Sequence, residues 1–376
     1  MNNNTKSTST VGTTWSGDNE RRQRALERCI VPLSVASYKG SSGRVGILGG
    51  SERYTGAPFY AAMASLKCGA DLAFCFCAEE AAVPLKTYSP ELMVAPVYKA
   101  AEFKAALLRE AKGGNCNGDG FLGATGVETN KLVERMVAEV CSMMDKMHVL
   151  VLGPGLGRHP LVLEATARII RRAQSEYHLP LVIDADALFL LTLPEFESIL
   201  TDESIVVLTP NAMELKRLRD CALTSLPDRC IVIEKGAVDS IQHGSASLQT
   251  QTQMEMKMKM ETETEPEMPA MMVCGETGGL KRSGGIGDVL AGTCGTLLAW
   301  NKILTDRGKA SVDDIPLACW TACCFVKRST KKAFDVHRRS MTAPDILQEL
   351  GPTIDEMTTP EKTESVFDKI IQYNII

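Results

Sequence analysis

Asp288 stands among glycines. The stretch Ser283–Gly292, SGGIGDVLAG, holds four glycines and one carboxylate in ten residues, and it continues as the apolar run TCGTLLAW. Gly284, Gly285 and Gly287 leave backbone N–H groups uncovered where a helix would start, and the helix dipole favours an anion there. Phosphoryl transfer asks for such donors around the moving group and for a base at the acceptor hydroxyl. Asp288 has the position for that base, and its plainer role is to cap its own helix. A Walker A loop is excluded, because G-x-x-x-x-G-K-[ST] does not occur.

Five other stretches offer polar chemistry. In IVIEKGAVD a strand ends in Lys235 and Gly236, a cation that reaches nucleotide phosphates or else an exposed turn lysine. LGPGLGR, ending at Gly157 and Arg158, is glycine-dense enough for close backbone approach to a ligand. VIDADAL carries Asp184 and Asp186, which can hold Mg²⁺ directly or through water, with Asp186 expected to cap the next helix. LTPNAMELKRL sets Asn211 three residues before Glu214, the spacing of a capping box. KGSSGRVGILGGS offers Lys39 and backbone N–H groups to a phosphate, or is a tight turn. It fails as a dinucleotide fingerprint, because its first glycines precede the strand.

These stretches need strands and helices to bring them together. GRVGILGGS, HVLVLGPGLGR, LPLVIDADAL, SIVVLTPN and DRCIVIEKG each read as a short apolar strand ending in a polar or glycine loop. Small-residue and amphipathic helices such as APFYAAMASLKCGA and the run Leu161–Ser175 alternate with them. Near-continuous apolar strands belong to sheets buried on both faces. A single α/β domain is therefore expected over 21–376, with a doubly wound, mostly parallel sheet and helices on both faces. In such sheets ligands bind at the C-terminal strand ends. The Gly/Asn-rich stretch 111–126 reads as a surface loop, and the Met/charge repeat 247–272 reads as a low-complexity insertion.

Composition narrows the function. The net charge of -5 and the lack of a basic run argue against nucleic acid as a partner. No stretch of about eighteen apolar residues predicts a membrane span. Thirteen scattered cysteines, mostly within apolar runs, read as reduced buried thiols. Residues 1–20 read as a disordered cytoplasmic tail, with a mitochondrial or plastid leader as the alternative. A homo-oligomer is left open.

Taken in order, GRVGILGGSERYTGAP, SPELMV, HVLVLGPGLGR, PLVIDADAL, VVLTPNAMEL, IVIEKGAVD and SGGIGDVLAG resemble the ATP-dependent (S)-NAD(P)H-hydrate dehydratase family of the ribokinase-like superfamily. The likeness runs over about residues 30 to 350. It implies repair of NADH and NADPH that carry a hydroxyl on the reduced nicotinamide ring. A nucleotide phosphorylates that hydroxyl, and loss of phosphate restores the double bond. SGGIGD is closer to the eukaryotic-type motif than to the bacterial GTGD form, which implies ATP as co-substrate, with Mg²⁺ bridging its phosphates. Ile286 departs from the usual residue between the glycines, which bears on nucleotide choice.

Carried over by resemblance, Asp288 is the base and also touches the substrate. Gly157 together with Asn211, Ala212, Met213, Glu214, Leu215, Lys216 and Arg217 corresponds to the hydrated-cofactor site. Lys235, Gly236, Ala237, Val238 and Asp239 correspond to one ATP segment. Gly278, Gly279, Leu280, Lys281, Arg282, Ser283, Gly284, Gly285, Ile286 and Gly287 correspond to the other, with the insertion between the two. The alternatives are a vitamin-precursor kinase on the same fold and a non-catalytic nucleotide-binding protein.

Overall fold

The apolar runs become strands hidden from water on both sides. A computed structural model describes residues 12–112, 126–221, 226–244 and 271–359. The strands are β1 (Arg44–Leu48), β2 (Leu72–Ala78), β3 (Met93–Tyr98), β4 (Val149–Leu152), β5 (Leu181–Ile183), β6 (Val206–Leu208), β7 (Cys230–Glu234), β8 (Asp239–His243) and β9 (Met272–Cys274). Every residue of β4, β5 and β6 is buried. They form one sheet in the order β3-β2-β1-β4-β5-β6-β7-β8-β9. Strands β1 to β7 pair in parallel, and β8 and β9 extend the sheet antiparallel. The order reverses between β1 and β4, so their outgoing loops part there.

Alternate residues of each strand feed two cores. Leu150, Leu152, Leu181, Ile183 and Leu208 face one side. That side is covered by α3 (Glu79–Tyr88), α4 (Ala100–Lys112), α5 (Val127–Cys141), α6 (Pro160–Ser175), α7 (Ala185–Leu190) and α8 (Ala212–Asp220). Val149, Val151, Val182 and Val207 face the other. There lie α1 (Asn19–Arg28), α2 (Gly56–Cys68), α9 (Ile286–Asp306), α10 (Ile315–His337) and α11 (Ala343–Thr358). The small residues of α9 let it lie directly on its neighbours. A Cβ at Gly292 would come within 2.0 Å of the Ala61 carbonyl oxygen on α2. This contact fixes where α9, and so Asp288, begins.

The fold departs from the sequence reading in three places. Strand β3 was not singled out, because its exposed Pro96 marks an edge rather than a buried run. The expected loop 111–126 and insertion 247–272 fall mostly outside the described residues, but Met272 opens β9. The expected disordered tail over 1–20 gives way from Gly12 onward. The Thr13 N–H donates to the Val273 carbonyl at 3.0 Å, and the Gly275 N–H donates to the Thr13 carbonyl at 2.8 Å, so this segment covers the sheet edge. Trp15 is 2% exposed and stacks on Trp320 with ring centroids 5.8 Å apart. Its indole N–H donates to the Met357 carbonyl at 3.1 Å. No described helix is long and apolar enough to cross a membrane.

Removing Trp15 empties this pocket. Trp15→Ala is expected to lower stability by about 3–5 kcal/mol in chemical denaturation. A change below about 0.5 kcal/mol would show that the segment is not part of the folded unit.

Candidate active site

Three neighbouring strand ends meet on one carboxylate oxygen. Asp184 follows β5 and is 1% exposed. Its Oδ1 accepts from Thr209 Oγ1, just past β6, at 2.8 Å. The same Oδ1 accepts from Lys235 Nζ, just past β7, at 2.7 Å. The Lys235 side chain is only 18% exposed, so it is not the exposed turn lysine that the sequence allowed. Burial works against its charge, but the carboxylates of Asp184, Glu214 and Asp288 together raise its pKa above the usual lysine value.

The start of α9 lies over this pair. Gly285, the residue before the helix, has φ +93°, and a Cβ there would meet Ala343 Cβ at 2.6 Å and Tyr60 at 2.8 Å. Only glycine fits both demands. Among the described residues no side chain caps the helix start. The first-turn N–H groups therefore lack the partners that an isolated helix end needs. Gly284 faces open space, and a Cβ on Gly287 would lie 3.2 Å from Lys235 Nζ. Bare donors, a positive dipole end and a cation converge on one spot, which is the physical recipe for an anion.

Asp288 sits in that first turn without a side-chain hydrogen bond among the described residues, so it does not cap its own helix. Burial pushes its carboxyl up to about 7, the Asp184 carboxylate pushes the same way, and Lys235 opposes them. A carboxyl poised near neutrality in a cleft has the profile of a proton acceptor.

On one side of this centre lies a cavity of about 430 Å³. Asn211, Lys235, Gly236, Ala237, Asp239, Gly278, Arg282, Ser283, Ile286 and Gly287 line it, so two expected segments far apart in sequence do meet. Helix α10 adds Val326, Lys327 and Thr330, which the sequence gave no signal to find. Lys327 Nζ donates to the Gly236 carbonyl at 2.6 Å and the Ala237 carbonyl at 2.9 Å, and lies 3.2 Å from Asp239 Oδ1. Two of its N–H donors are thus given to the turn and its charge is paired with Asp239, so Lys327 shapes the turn. The Gly236 N–H also donates to Asp239 Oδ1 at 2.9 Å. Val238 and Leu280 point outward, 52% and 82% exposed. Gly279 packs on α10, where a Cβ would meet Phe334 Cβ at 2.7 Å. Lys281 sits outside the cavity wall and acts electrostatically on Asp345.

On the other side is Gly157, with φ +79°. Its N–H donates to Asp186 Oδ2 at 2.9 Å, and Arg158 Nε lies 2.9 Å from Asp186 Oδ1. Asp186 is therefore not the cap expected from the sequence. It lies inside the first turn of α7 and straps the glycine loop instead. The capping box at α8 is present: Asn211 accepts from the Met213 and Glu214 N–H groups, and Glu214 accepts from the Asn211 N–H. Burial, with Asp184 nearby, raises the Glu214 pKa. Glu214 and Arg217 line a small cleft with Phe189. Ala212 and Met213 are exposed, Leu215 is a core residue, and Lys216 is exposed and reaches back to Asp220 at 3.7 Å. Lys39 lies before β1, at the far end of the sheet, where the Gly40 and Ser42 N–H groups bind Asp71. It belongs to a turn and not to this site.

Asp184 and Asp186 take separate partners and do not act as a ready metal pair. No group of three or more His, Cys, Asp or Glu side chains among the described residues could hold a metal ion. The site fits Mg²⁺ that arrives on nucleotide phosphates, the usual habit of this ion. Neither bond to Asp184 engages Oδ2, which would be the carboxylate oxygen available to such an ion.

Lys235→Met would strand the Asp184 charge and is expected to cost about 3 kcal/mol in urea unfolding. Adding Asp184→Asn should recover part of that loss. Strictly additive losses would contradict the pairing.

The NAD(P)H-hydrate dehydratase family profile matches residues 45–113 and 123–352. A Batrachochytrium dendrobatidis protein named ATP-dependent (S)-NAD(P)H-hydrate dehydratase is 36% identical over 350 residues, covering 90% of this chain and 99% of that one. The Neurospora crassa protein of the same name is 32% identical over 371 residues, covering 92% and 95%. The Arabidopsis thaliana one is 31% identical over 344 residues, covering 91% and 87%. Among solved structures, a ribokinase-like superfamily protein from Enterococcus faecalis has TM-score 0.57 at 20% identity, covering 90% and 95%. A Bacillus subtilis ADP/ATP-dependent NAD(P)H-hydrate dehydratase, co-crystallized with ATP and Mg²⁺, has TM-score 0.56 at 17% identity, covering 88% and 96%. The fold is ribokinase-like, and the chain belongs to the NAD(P)H-hydrate dehydratase family.

Proposed function

We propose that the chain dehydrates the S epimer of hydrated NADH and NADPH at the expense of ATP, releasing ADP and phosphate. The observation that carries this reading is a buried carboxyl, Asp288, raised to about 7 beside the N–H donors at the start of α9. ATP occupies the cavity between the Lys235–Asp239 turn and the Gly278–Gly287 segment. Lys235 and the first-turn N–H groups of α9 meet its terminal phosphates. The hydrated ring comes from the side of Gly157 and the start of α8, where Asn211, Glu214 and Arg217 stand.

Asp288 takes the proton as the ring hydroxyl attacks the terminal phosphorus, and the bond to ADP breaks. The α9 donors and Lys235 stabilise the charge on the moving phosphoryl group. Mg²⁺, when bound to the nucleotide, adds neutralising charge at the same oxygens. The ring nitrogen's lone pair then expels phosphate, and loss of a proton from the adjacent carbon restores the double bond. Lys327 contributes by holding the turn that faces ATP.

The direct test mixes the protein with hydrated NADH, ATP and Mg²⁺ and follows recovery of reduced-nicotinamide absorbance. Recovery with phosphate release is expected. A stable phosphorylated product would point to a kinase, and no change with either ATP or ADP would overturn the reading.

Asp288→Asn should lower turnover by about 10²–10⁴-fold, with ATP affinity nearly unchanged. The base must be ionised, so kcat/KM should rise with pH through about 7 and then level off. Stability follows the same titration. The folded pKa is raised, so the proton is held more tightly in the folded state. The contribution of Asp288 to wild-type stability therefore falls as pH rises from 3.8 to about 7. Thermal melts should show Asp288→Asn gaining on the wild type over that range, and an unchanged difference would contradict the buried-carboxyl assignment.

A further inference from the structure

A second cavity, of about 530 Å³, opens where the sheet order reverses. Ser51 follows β1 and Gly157 follows β4, and both line it. Loops diverging from neighbouring parallel strands leave a crevice, and such crevices bind ligands. This cavity shares no lining residue with the one assigned to ATP.

Its wall holds two unsatisfied polar atoms. Ser51 is 9% exposed, and its buried Oγ has no hydrogen-bond partner among the described residues. Nδ1 of His159 is also buried without a partner. Leaving such atoms unpaired is costly, so they mark a place where a ligand completes the bonding. Burial, with Lys104 nearby, holds the His159 pKa below the usual value, so the ring is neutral at pH 7 and offers a polar edge. At the mouth stands Tyr54, 54% exposed. The Arg53 side chain is 80% exposed, with its nearest carboxylate, Glu52, 3.9 Å away. By contrast, Lys104 is committed to Glu52 at 2.5 Å and Arg158 to Asp186 at 2.9 Å.

The geometry points to this cavity as the seat of the substrate's non-reacting adenosine half, an inference that rests on the dehydratase reading. An adenine edge presents ring acceptors beside an amino donor, which suits Ser51 and a neutral His159. An aromatic face at the mouth suits a base, and Arg53 suits the phosphates joined to it. Gly157 and Asp186 line this cavity, and the Asp186 charge acts on Asp288. The two adenine-bearing reactants thus have separate seats that share no lining residue.

ADP-ribose is the probe. Calorimetric titration uses the full chain, already saturated with Mg²⁺ and a non-hydrolysable ATP analogue. ADP-ribose should still bind, and Ser51→Ala and His159→Phe should each weaken it by about tenfold. The second variant keeps a ring against Phe103, and undiminished binding of the ATP analogue verifies folding in both. The inference is overturned if ADP-ribose fails to bind, if it displaces the ATP analogue, or if neither variant weakens it. Failure of the dehydratase reading registers elsewhere, as hydrated NADH left unchanged by the wild type.

Discussion

The ion pair between Lys235 and Asp184, at 2.7 Å, holds the site together. It joins the loop after β5 to the loop after β7, and Thr209 brings in β6 through the same oxygen. A charge so deeply placed persists only when it is paired and hydrogen-bonded. Here the pairing also sets a cation under the first turn of α9, where Gly287 leaves room for it. The same Asp184 carboxylate helps to keep Asp288 protonated up to about 7. One interaction thus shapes the cradle, supplies its positive charge and tunes the neighbouring base.

Packing and one further set of polar bonds place the other parts of the site. Helix α9 is laid against α2 through small residues, and Gly285 turns the chain sharply into it. The turn at Gly236–Asp239 is drawn to α10 by Lys327, which donates to two carbonyls of the turn and pairs with Asp239. Backbone N–H groups at the start of α9 are thereby held in fixed positions beside Lys235. That arrangement suits a phosphoryl group in transit, which needs fixed donors more than covalent help.

Much of this was legible in the sequence because its chemistry is local. Glycines beside Asp288 and the Asn211–Glu214 capping spacing lie within a few residues of one another, and apolar runs announce buried parallel strands. What was hidden depends on distance along the chain. Lys327 meets a turn about ninety residues away, Thr209 and Lys235 meet on Asp184, and Trp15 finds its pocket beside Trp320 at the far end of the chain. Asp186 misled for the same reason. Helix-start rules see its own turn, but the glycine loop after β4 claims its carboxylate. Lys39 has the right neighbours and the wrong end of the strand, a difference that only the order of elements in space reveals.

The central claim is that phosphorylation of the ring hydroxyl precedes loss of oxygen from the ring. The most direct measurement uses hydrated NADH carrying ¹⁸O in that hydroxyl, with ATP and Mg²⁺, and locates the label by mass spectrometry after turnover. Phosphorylation on that oxygen followed by carbon–oxygen cleavage puts the ¹⁸O in the released inorganic phosphate. Label found in water, with unlabelled phosphate, would contradict the account.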